Sequence, residues 1–579
     1  MRHPNALRIA LGIVLCIVAG VPAYASTYYV DGPNSASSDS GPGTTARPWK
    51  TISRASSAKE LRQGDTVLVR SGVYRETANV TVSGNPGKPI TFAAAPGHRV
   101  VIKGSEIVKG QWSRLSTADM PVEPFPFAFR RVWKIKLGDE YFTDARFLGG
   151  YDDKSRRWVS QVFLDDEQPL QMIGLDGVYK ADEFVRMVTI GHGVADMVAQ
   201  SFYFDPKSQT LYLNIGGEPG WSSIEVGVRG YAITAEKIHD VVIRGFEMRH
   251  NRQPGGQWPM VSIGNCERVV VEDCQVRWAD FAGMGMGMCK DCVVRRCEFS
   301  YNGCVGVGMG QTQDCTVEDS SFLYNNYRKI NGDWGVAAGM KNIPGNKRTT
   351  IRRCVAAHNT EAEGIWFDTD NEDIRIVDNV CFDNGDCGIF FEINKGGGII
   401  AGNLVFANKG RGIYISGSQK TWVVNNTLVD NATGIVAMTR AKDEPPKDVH
   451  ILNNLLIRNY ITSDTVTRGS DITLEQSPDP AWRAELNSFS DNNIFANNTW
   501  IPFIRHNWND NNTLAVWQKT YAQDLHSVAT TVPFVRTAAG LKVNSAKLPK
   551  IASPLPASVL SVWKPRDPTQ VGANRSVWP

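Results

Sequence analysis

Between about residue 240 and residue 460 the chain repeats one arrangement of apolar and polar positions. A short β-rich segment is followed by a polar turn ending in asparagine, and then by Gly-apolar-x-apolar-x. No three-to-four-residue helical period survives here, so the pattern predicts strands. The asparagines are Asn251, Asn302, Asn325, Asn359, Asn384, Asn408, Asn431 and Asn459, with one coil, ending at Ala279, lacking its own. Most steps between them are 23 to 25 residues, and steps of 28 and 34 mark coils that carry loops. A fixed period of this size is the signature of a solenoid, and one turn of a parallel β-helix is the unit that fits. An asparagine at the same point of each coil predicts a ladder of stacked side-chain amides closing the turns.

The flanks agree. Tyr28 to Asp31, Trp49 to Ile52 and Gly64 to Gly72 read as opening strands and a cap, while residues 105–230 break the period. Within that break, Gln161-Val-Phe-Leu164, Ser201-Phe-Tyr-Phe-Asp-Pro206 and Thr210-Leu-Tyr-Leu213 alternate every second residue between polar turns, as antiparallel strands do. The expected fold is all-β: a right-handed parallel β-helix with an inserted β-sandwich. Its parts are a leader over 1–25, first coils and cap over 26–104, the sandwich over 105–230, and the main β-helix with C-terminal coils and a Pro-rich tail over 231–579.

Aligning the strand that opens with glycine in each coil separates two faces. The rows are Gly283-Met-Gly-Met-Gly287, Gly306-Val-Gly-Met-Gly310, Gly335-Val-Ala-Ala-Gly339, Gly364-Ile-Trp-Phe-Asp368, Gly388-Ile-Phe-Phe-Glu392, Gly412-Ile-Tyr-Ile-Ser416 and Gly434-Ile-Val-Ala-Met438. Side chains alternate across a strand, so the second and fourth residues, apolar in every row, form the core. The third and fifth residues face out. There, glycine at 285, 287, 308, 310 and 339 gives way to Trp366 with Asp368, Phe390 with Glu392, and Tyr414 with Ser416. Glycine weakens a strand, so a run of outward glycines implies a surface kept flat for something to lie on. The column Trp366, Phe390, Tyr414 beside it offers aromatic faces to sugar rings.

Asp368 and Glu392 hold equivalent places 24 residues apart. Adjacent strands lie about 4.8 Å apart, which sets two carboxyls on one face roughly 5 Å from each other. Retaining glycosidases use a carboxyl pair about 5 to 5.5 Å apart, and inverting ones need roughly 6.5 to 9.5 Å. Like charges this close raise one pKa, leaving one acid protonated and one ionised. The bland alternative is two acids on a solvated sheet face.

Further residues enter as candidates. Asp333, Trp334, Lys341, His358 and Glu363 lie on the coils just before Asp368 and could line a subsite, as could Asp370. The acidic turn Asp368-Thr-Asp370-Asn371-Glu372-Asp373 could hold calcium through oxygen ligands; no other metal and no organic cofactor is expected. Ten cysteines lie between Cys266 and Cys387, and several recur at intervals of 23, as with Cys266 and Cys289, Cys274 and Cys297, Cys292 and Cys315. Equal spacing reads as a ladder of small apolar side chains in the core, and Cys289-Lys-Asp-Cys292 lacks the second ligand pair of a zinc site. Arg2, His3 and Arg8, the apolar run Ile9 to Val21 and Ala23-Tyr24-Ala25 read as a secretory leader, placing the protein in the periplasm or outside the cell. The net charge of +3 argues against a nucleic-acid or anionic-membrane partner, and nothing after the leader is apolar enough to insert in a bilayer. A carbohydrate is the expected partner.

Gly364-Ile-Trp366-Phe-Asp368 followed one coil later by Ile389-Phe-Phe-Glu392-Ile-Asn, on a β-helix interrupted early by a sandwich, resembles the β-xylosidases of glycoside hydrolase family 120. That resemblance implies a retaining double displacement with Asp368 as nucleophile and Glu392 as general acid/base. The chain lacks the Asp-Pro-His-Asp of mannuronan epimerases and the Asn-Thr-Asp, Asp-Asp and Arg-Ile-Lys set of polygalacturonases. The runner-up is a calcium-assisted polysaccharide lyase with Lys341 or Lys395 as base near the acidic turn. A third reading is a non-catalytic β-helix that binds glycans through the aromatic column.

Overall fold

The computed structural model describes residues 25–116, 131–144, 157–174, 178–180, 185–253, 258–332, 335–440, 444–462, 467–475, 479–497, 504–506, 510–537, 540–573 and 577–578. The leader read over 1–25 falls outside them except for its last residue, as do Asp333 and Trp334. Among the described residues no helix is long and apolar enough to cross a membrane.

The chain winds as a right-handed parallel β-helix of three long sheets. Each full coil contributes a strand to each sheet in turn; one coil supplies Glu267–Glu272, Gln275–Arg277 and Ala282–Gly287. Strands of the third sheet stack in register from Ala78–Val80 up to Ile472–Leu474 and beyond. Their alternate residues point inward as the apolar pattern requires: Met284, Met286, Val307, Met309, Ile365, Phe367, Ile389, Phe391, Ile413 and Ile415 all belong to one continuous buried core.

The turns are closed by amides. Asn302, Asn325, Asn359, Asn384, Asn408, Asn431 and Asn459 each donate from Nδ2 to Oδ1 of the next, at 2.8–3.0 Å, and Asn459 hands on to Asp471 at 3.1 Å. Where Ala279 interrupts the series, its backbone N–H donates to Asn302 Oδ1 instead. Two further ladders run through other turns: Asn379, Asn403, Asn426, Asn454 and Asn493, and Asn346, Asn371 and Asn394 ending on Ser418. Each amide thus satisfies buried groups that stacked turns would otherwise leave unpaired. The ten cysteines are all free and buried, several within the same core.

The row opening at Gly335 departs from the expected alignment. Val305 pairs with Ala338, Val307 with Met340 and Gly308 with Lys341, so Gly339, not Gly335, is the glycine in step with Gly306 and Gly364. Gly339 occupies the inner corner, where an added Cβ would lie 2.7 Å from Asn359 Nδ2. The outward residue on this coil is therefore Lys341.

The segment after Gly104 folds into two β-sheets face to face. Ser105–Ile107, Val162–Leu164, Gln168–Pro169 and Ile224–Gly227 form one, and Ser113–Arg114, Trp133–Lys136, Gln171–Met172, Ser201–Asp205 and Thr210–Asn214 the other. Phe202, Phe204, Leu211, Leu213, Val162 and Val226 fill the space between them, and this core runs on into Phe281, Cys304, Val305 and Ala362 of the β-helix. Arg75 and Lys103 of the first coils pair with Glu225 of the sandwich at 3.0 and 2.9 Å, and Val185–Val188 pairs antiparallel with Ile330–Gly332. The tail packs back on the first sheet, with Leu555, Val559 and Trp563 against Val377, Ala401 and Val424. Trp517 and Tyr521 of the helix Leu514–Tyr521 extend the main core at the C-terminal end.

Candidate active site

The strand Glu363–Asp368 pairs with Ile389–Glu392 so that Trp366 meets Phe390 and Asp368 meets Glu392. The next strand places Tyr414 beside Phe390 and Ser416 beside Glu392. Two carboxylates therefore leave the same face on adjacent coils, in phase, about one strand spacing apart.

Their surroundings differ. Asp368 keeps 25% of its side chain exposed and faces the Lys341 ammonium at 3.5 Å; Thr369 Oγ1 donates to its Oδ1 at 2.8 Å. Glu392 is almost closed off, with 7% of its side chain exposed, and accepts from Arg440 Nε at 2.7 Å. Burial pushes the Glu392 carboxyl above the ordinary glutamate range and the neighbouring Asp368 charge adds to it, together outweighing the opposing pull of Arg440 and Lys341. Arg440 was not among the sequence candidates: it lies 48 residues beyond Glu392, in a loop outside the repeat.

The aromatic column is present but arranged differently from a stacking platform. Trp366 lies on Phe390 with centroids 5.2 Å apart, and Phe390 on Tyr414 at 4.9 Å. Lys341 Nζ sits 3.6 Å from the Trp366 ring centre and the Arg411 guanidinium 4.3 Å from that of Tyr414. In-register strands stack rings along the helix axis, so the faces meet each other and the capping cations, leaving edges outward. Trp366 is also only 1% exposed; an added Cβ on Gly335 would lie 3.3 Å from its ring. The column is a wall beside the acids.

Other candidates separate. Glu363 opens the same strand, partly buried, with its carboxyl pushed up to about 8 by burial and then by Asp386. His358 belongs to the second sheet's side, hydrogen-bonded to Asp383 at 2.8 Å and stacked on Tyr324 at 4.8 Å, away from the acid pair. The acidic turn does not converge: Asp370 is exposed, Asn371 points inward as a rung of its ladder, and Glu372 pairs with Lys347 at 3.0 Å. Lys395 pairs with Glu444 at 3.7 Å. The metal-ligating groups that do converge among the described residues are Asp166, Glu225 and His250. Lys103 already holds two of them, at 2.5 Å from Asp166 and 2.9 Å from Glu225, so a resident ammonium stands where a cation would.

The glycine floor is real. A groove of about 640 Å3 runs over Gly285, Gly287, Gly308 and Gly310, flanked by Trp258 and ending at Lys341. An added Cβ at Gly287 would touch nothing within 4 Å, and at Gly308 only Lys341 O at 3.8 Å. Neither glycine has a positive φ, so no packing demand within the chain excludes a side chain there. In the other direction the face is covered: Ser416 and Val436 are 0% exposed and Met438 7%. The open surface extends to one side of the acids only.

The model of the right-handed β-helix region matches residues 231–428 and 345–498. Among solved structures, that titled the complex structure of XylC with xylose superposes with a TM-score of 0.59 at 15% identity, covering 89% of each chain. A structure titled glycoside hydrolase gives a TM-score of 0.43 at 12% identity over 83% of this chain and 95% of that one. An uncharacterized protein of Bacillus subtilis, YwoF, is 39% identical over 75 residues, a match spanning 13% of this chain and 16% of YwoF. The structural likeness to XylC is one of fold.

Proposed function

We propose that this right-handed parallel β-helix is a retaining glycoside hydrolase, with Asp368 as nucleophile and Glu392 as general acid/base. The observation that carries the reading is the in-register pairing of two carboxylates in unlike surroundings. A carboxyl whose pKa is raised by burial and a neighbouring charge can hold a proton to donate. Paired backbone positions one strand apart, about 4.8 Å, match the carboxyl spacing of retaining enzymes rather than the wider one that admits an intervening water.

In the first step Asp368 Oδ attacks the anomeric carbon while Glu392 gives its proton to the departing glycosidic oxygen. The bond to the leaving sugar breaks and a glycosyl ester forms. In the second, Glu392, now a carboxylate, takes a proton from water as the water oxygen attacks the same carbon, releasing Asp368 and restoring the Glu392 proton. Lys341 supplies a counter-charge beside Asp368, and the stacked rings of Trp366, Phe390 and Tyr414 stand on one side of the pair. XylC, whose structure was determined with xylose, shares the fold, which makes xylosides the first substrates to test. We also place the protein outside the cytoplasm, on the strength of the leader.

The lyase reading finds less support, because the acidic turn diverges, Lys395 is engaged by Glu444, and Lys341 lies between Asp368 and the Trp366 ring. Hydrolysis is tested by assaying the parent chain, Asp368→Ala and Glu392→Gln on aryl glycosides and oligosaccharides. The expected result is reducing-sugar release that each substitution lowers by at least about 10³-fold while glycan binding persists, the size of loss seen when a catalytic group is removed. Turnover that survives Asp368→Ala, or products carrying an unsaturated ring, would refute it.

A further inference from the structure

The groove over the glycines ends at Lys341, whose ammonium faces Asp368. An occupant of the groove is therefore continuous with whatever the acids hold. Register sets the distances. Gly308 pairs with Lys341 and Lys341 with Trp366, while Gly285 and Gly287 pair with Gly308 and Gly310. The floor thus lies two to three coils from the strand of Asp368, about 10 to 14 Å along the axis. Its volume of about 640 Å3 is that of a small-molecule site.

The lining tells which part of a substrate belongs there. Trp258, Met288 and Ile343 stand around the groove 57%, 54% and 50% exposed, and large apolar side chains left at the surface around one groove mark a contact site. Hydrogen-bonding groups are few. At the far end Asn265 donates to Glu236 at 2.6 Å. At the near end Lys341 is committed to Asp368, the Trp366 ring and the backbone oxygen of Gly335. Besides the Trp258 indole, only Ser262 and Gln311 are left without a partner among the described lining side chains.

These numbers decide between two occupants. A sugar chain across the floor would bring several hydroxyls per ring and find partners for two or three, and each hydroxyl that loses its water unpaired costs free energy. An apolar body has no such groups to strand, and it gains by covering the three exposed side chains. An oligosaccharide can cross the same glycines, with less to gain. We propose that the glycine groove is a leaving-group site for an apolar alcohol, so that the favoured substrates are glycosides with an apolar aglycone long enough to reach Gly308. This rests on the acid pair acting as a hydrolase. The alcohol oxygen takes the Glu392 proton as its bond to the anomeric carbon breaks and the Asp368 ester forms, and the alcohol leaves along the groove.

The test compares ethyl and octyl glycosides, whose leaving alcohols are equally basic, below their micelle concentrations. The full chain carrying Glu392→Gln is titrated calorimetrically with ethyl and octyl β-D-xyloside, ethyl and octyl β-D-glucoside, and xylotetraose, and the parent chain is assayed for turnover of all five. For at least one sugar the octyl compound should bind at least about tenfold tighter than the ethyl one, well within what six further methylenes provide when buried. Adding Gly308→Gln or Gly287→Gln, where a Cβ meets open space, should cut that ratio to about threefold or less at an unchanged melting temperature. Ethyl and octyl compounds bound equally, an octyl advantage indifferent to both substitutions, or xylotetraose bound more tightly than octyl β-D-xyloside would overturn the proposal. Octyl-selective binding with no turnover of any glycoside would refute the hydrolase and keep the groove as a site for apolar alcohols.

Discussion

At Glu392, burial and one negative neighbour oppose two cations. Burial and Asp368 raise the carboxyl, and Arg440 and Lys341 pull it down. If Glu392 must be protonated to act, activity falls as pH rises through its pKa, and the position of that fall reads the balance. Arg440→Met removes a downward pull, so the alkaline limb of kcat/KM should move to higher pH. Asp368→Asn removes an upward push, and the pKa of Glu392, followed by its carboxyl resonance, should move down. An Arg440→Met profile unmoved, or shifted to lower pH, would show that the guanidinium does not act on the proton donor. The phase of the two acids was legible in the sequence because each falls at the fifth place of a row with the same apolar second and fourth residues. Arg440 was not, because nothing in a non-repeating loop says which coil it folds back upon. The coil that carries Lys341 was aligned on the wrong glycine for a definite reason: Gly335 and Gly339 both offer a glycine start, and only the amide of Asn359 at the corner selects the second.

Single strands and turns carry the next set of consequences. Asn384 accepts from Asn359 at 2.8 Å and donates to Ala356 O at 3.0 Å and to Asn408 at 2.8 Å. Asn384→Ala removes these three bonds from a buried turn, leaving Asn359 Nδ2 its bond to Phe322 O and Asn408 Oδ1 the one from the backbone N–H of residue 384, at a cost of about 2 to 4 kcal/mol given roughly 0.5 to 1.5 per hydrogen bond. The denaturant midpoint measures it, and a loss under about 0.5 kcal/mol would deny the ladder a structural role. This ladder was readable from the period; the second was missed although it carries its own signal. Asn379, Asn403, Asn426 and Asn454 each precede a first-ladder asparagine by five residues, a double spacing that a one-ladder search passes over. The glycine floor makes the opposite prediction. Gly308→Ala meets no steric obstacle and relieves the strand of glycine, so it should stabilise by about 0.5 to 1 kcal/mol. Gly308→Leu should fold equally well but lower kcat/KM on long oligosaccharides about tenfold while sparing a short aryl glycoside. Equal loss on both substrates would remove the floor from the substrate path.

Over the whole molecule, two features of the sequence, a 23-to-25-residue period and an interruption with two-residue alternation, were enough to fix a β-helix with a sandwich set into it. What they left out is how the parts meet. The sandwich shares a core with the outer corner of the third-sheet coils, a contact between residues far apart in the chain that no local pattern encodes. The same distance hid the one-sided shape of the site, open over the glycines and shut beyond Ser416. The Pro-rich tail, which has no repeat, owes its place to Trp563 and Val559 packing on the first sheet. The central claim is chemical, and one measurement reaches it directly: react the parent chain with a 2-deoxy-2-fluoro xylosyl donor bearing a good leaving group, digest it, and locate the added mass. One glycosyl ester is expected, on Asp368, and its formation should slow in Glu392→Gln unless the leaving group needs no proton. A label on any other carboxylate, or none in a protein that still cleaves glycosides, would contradict it.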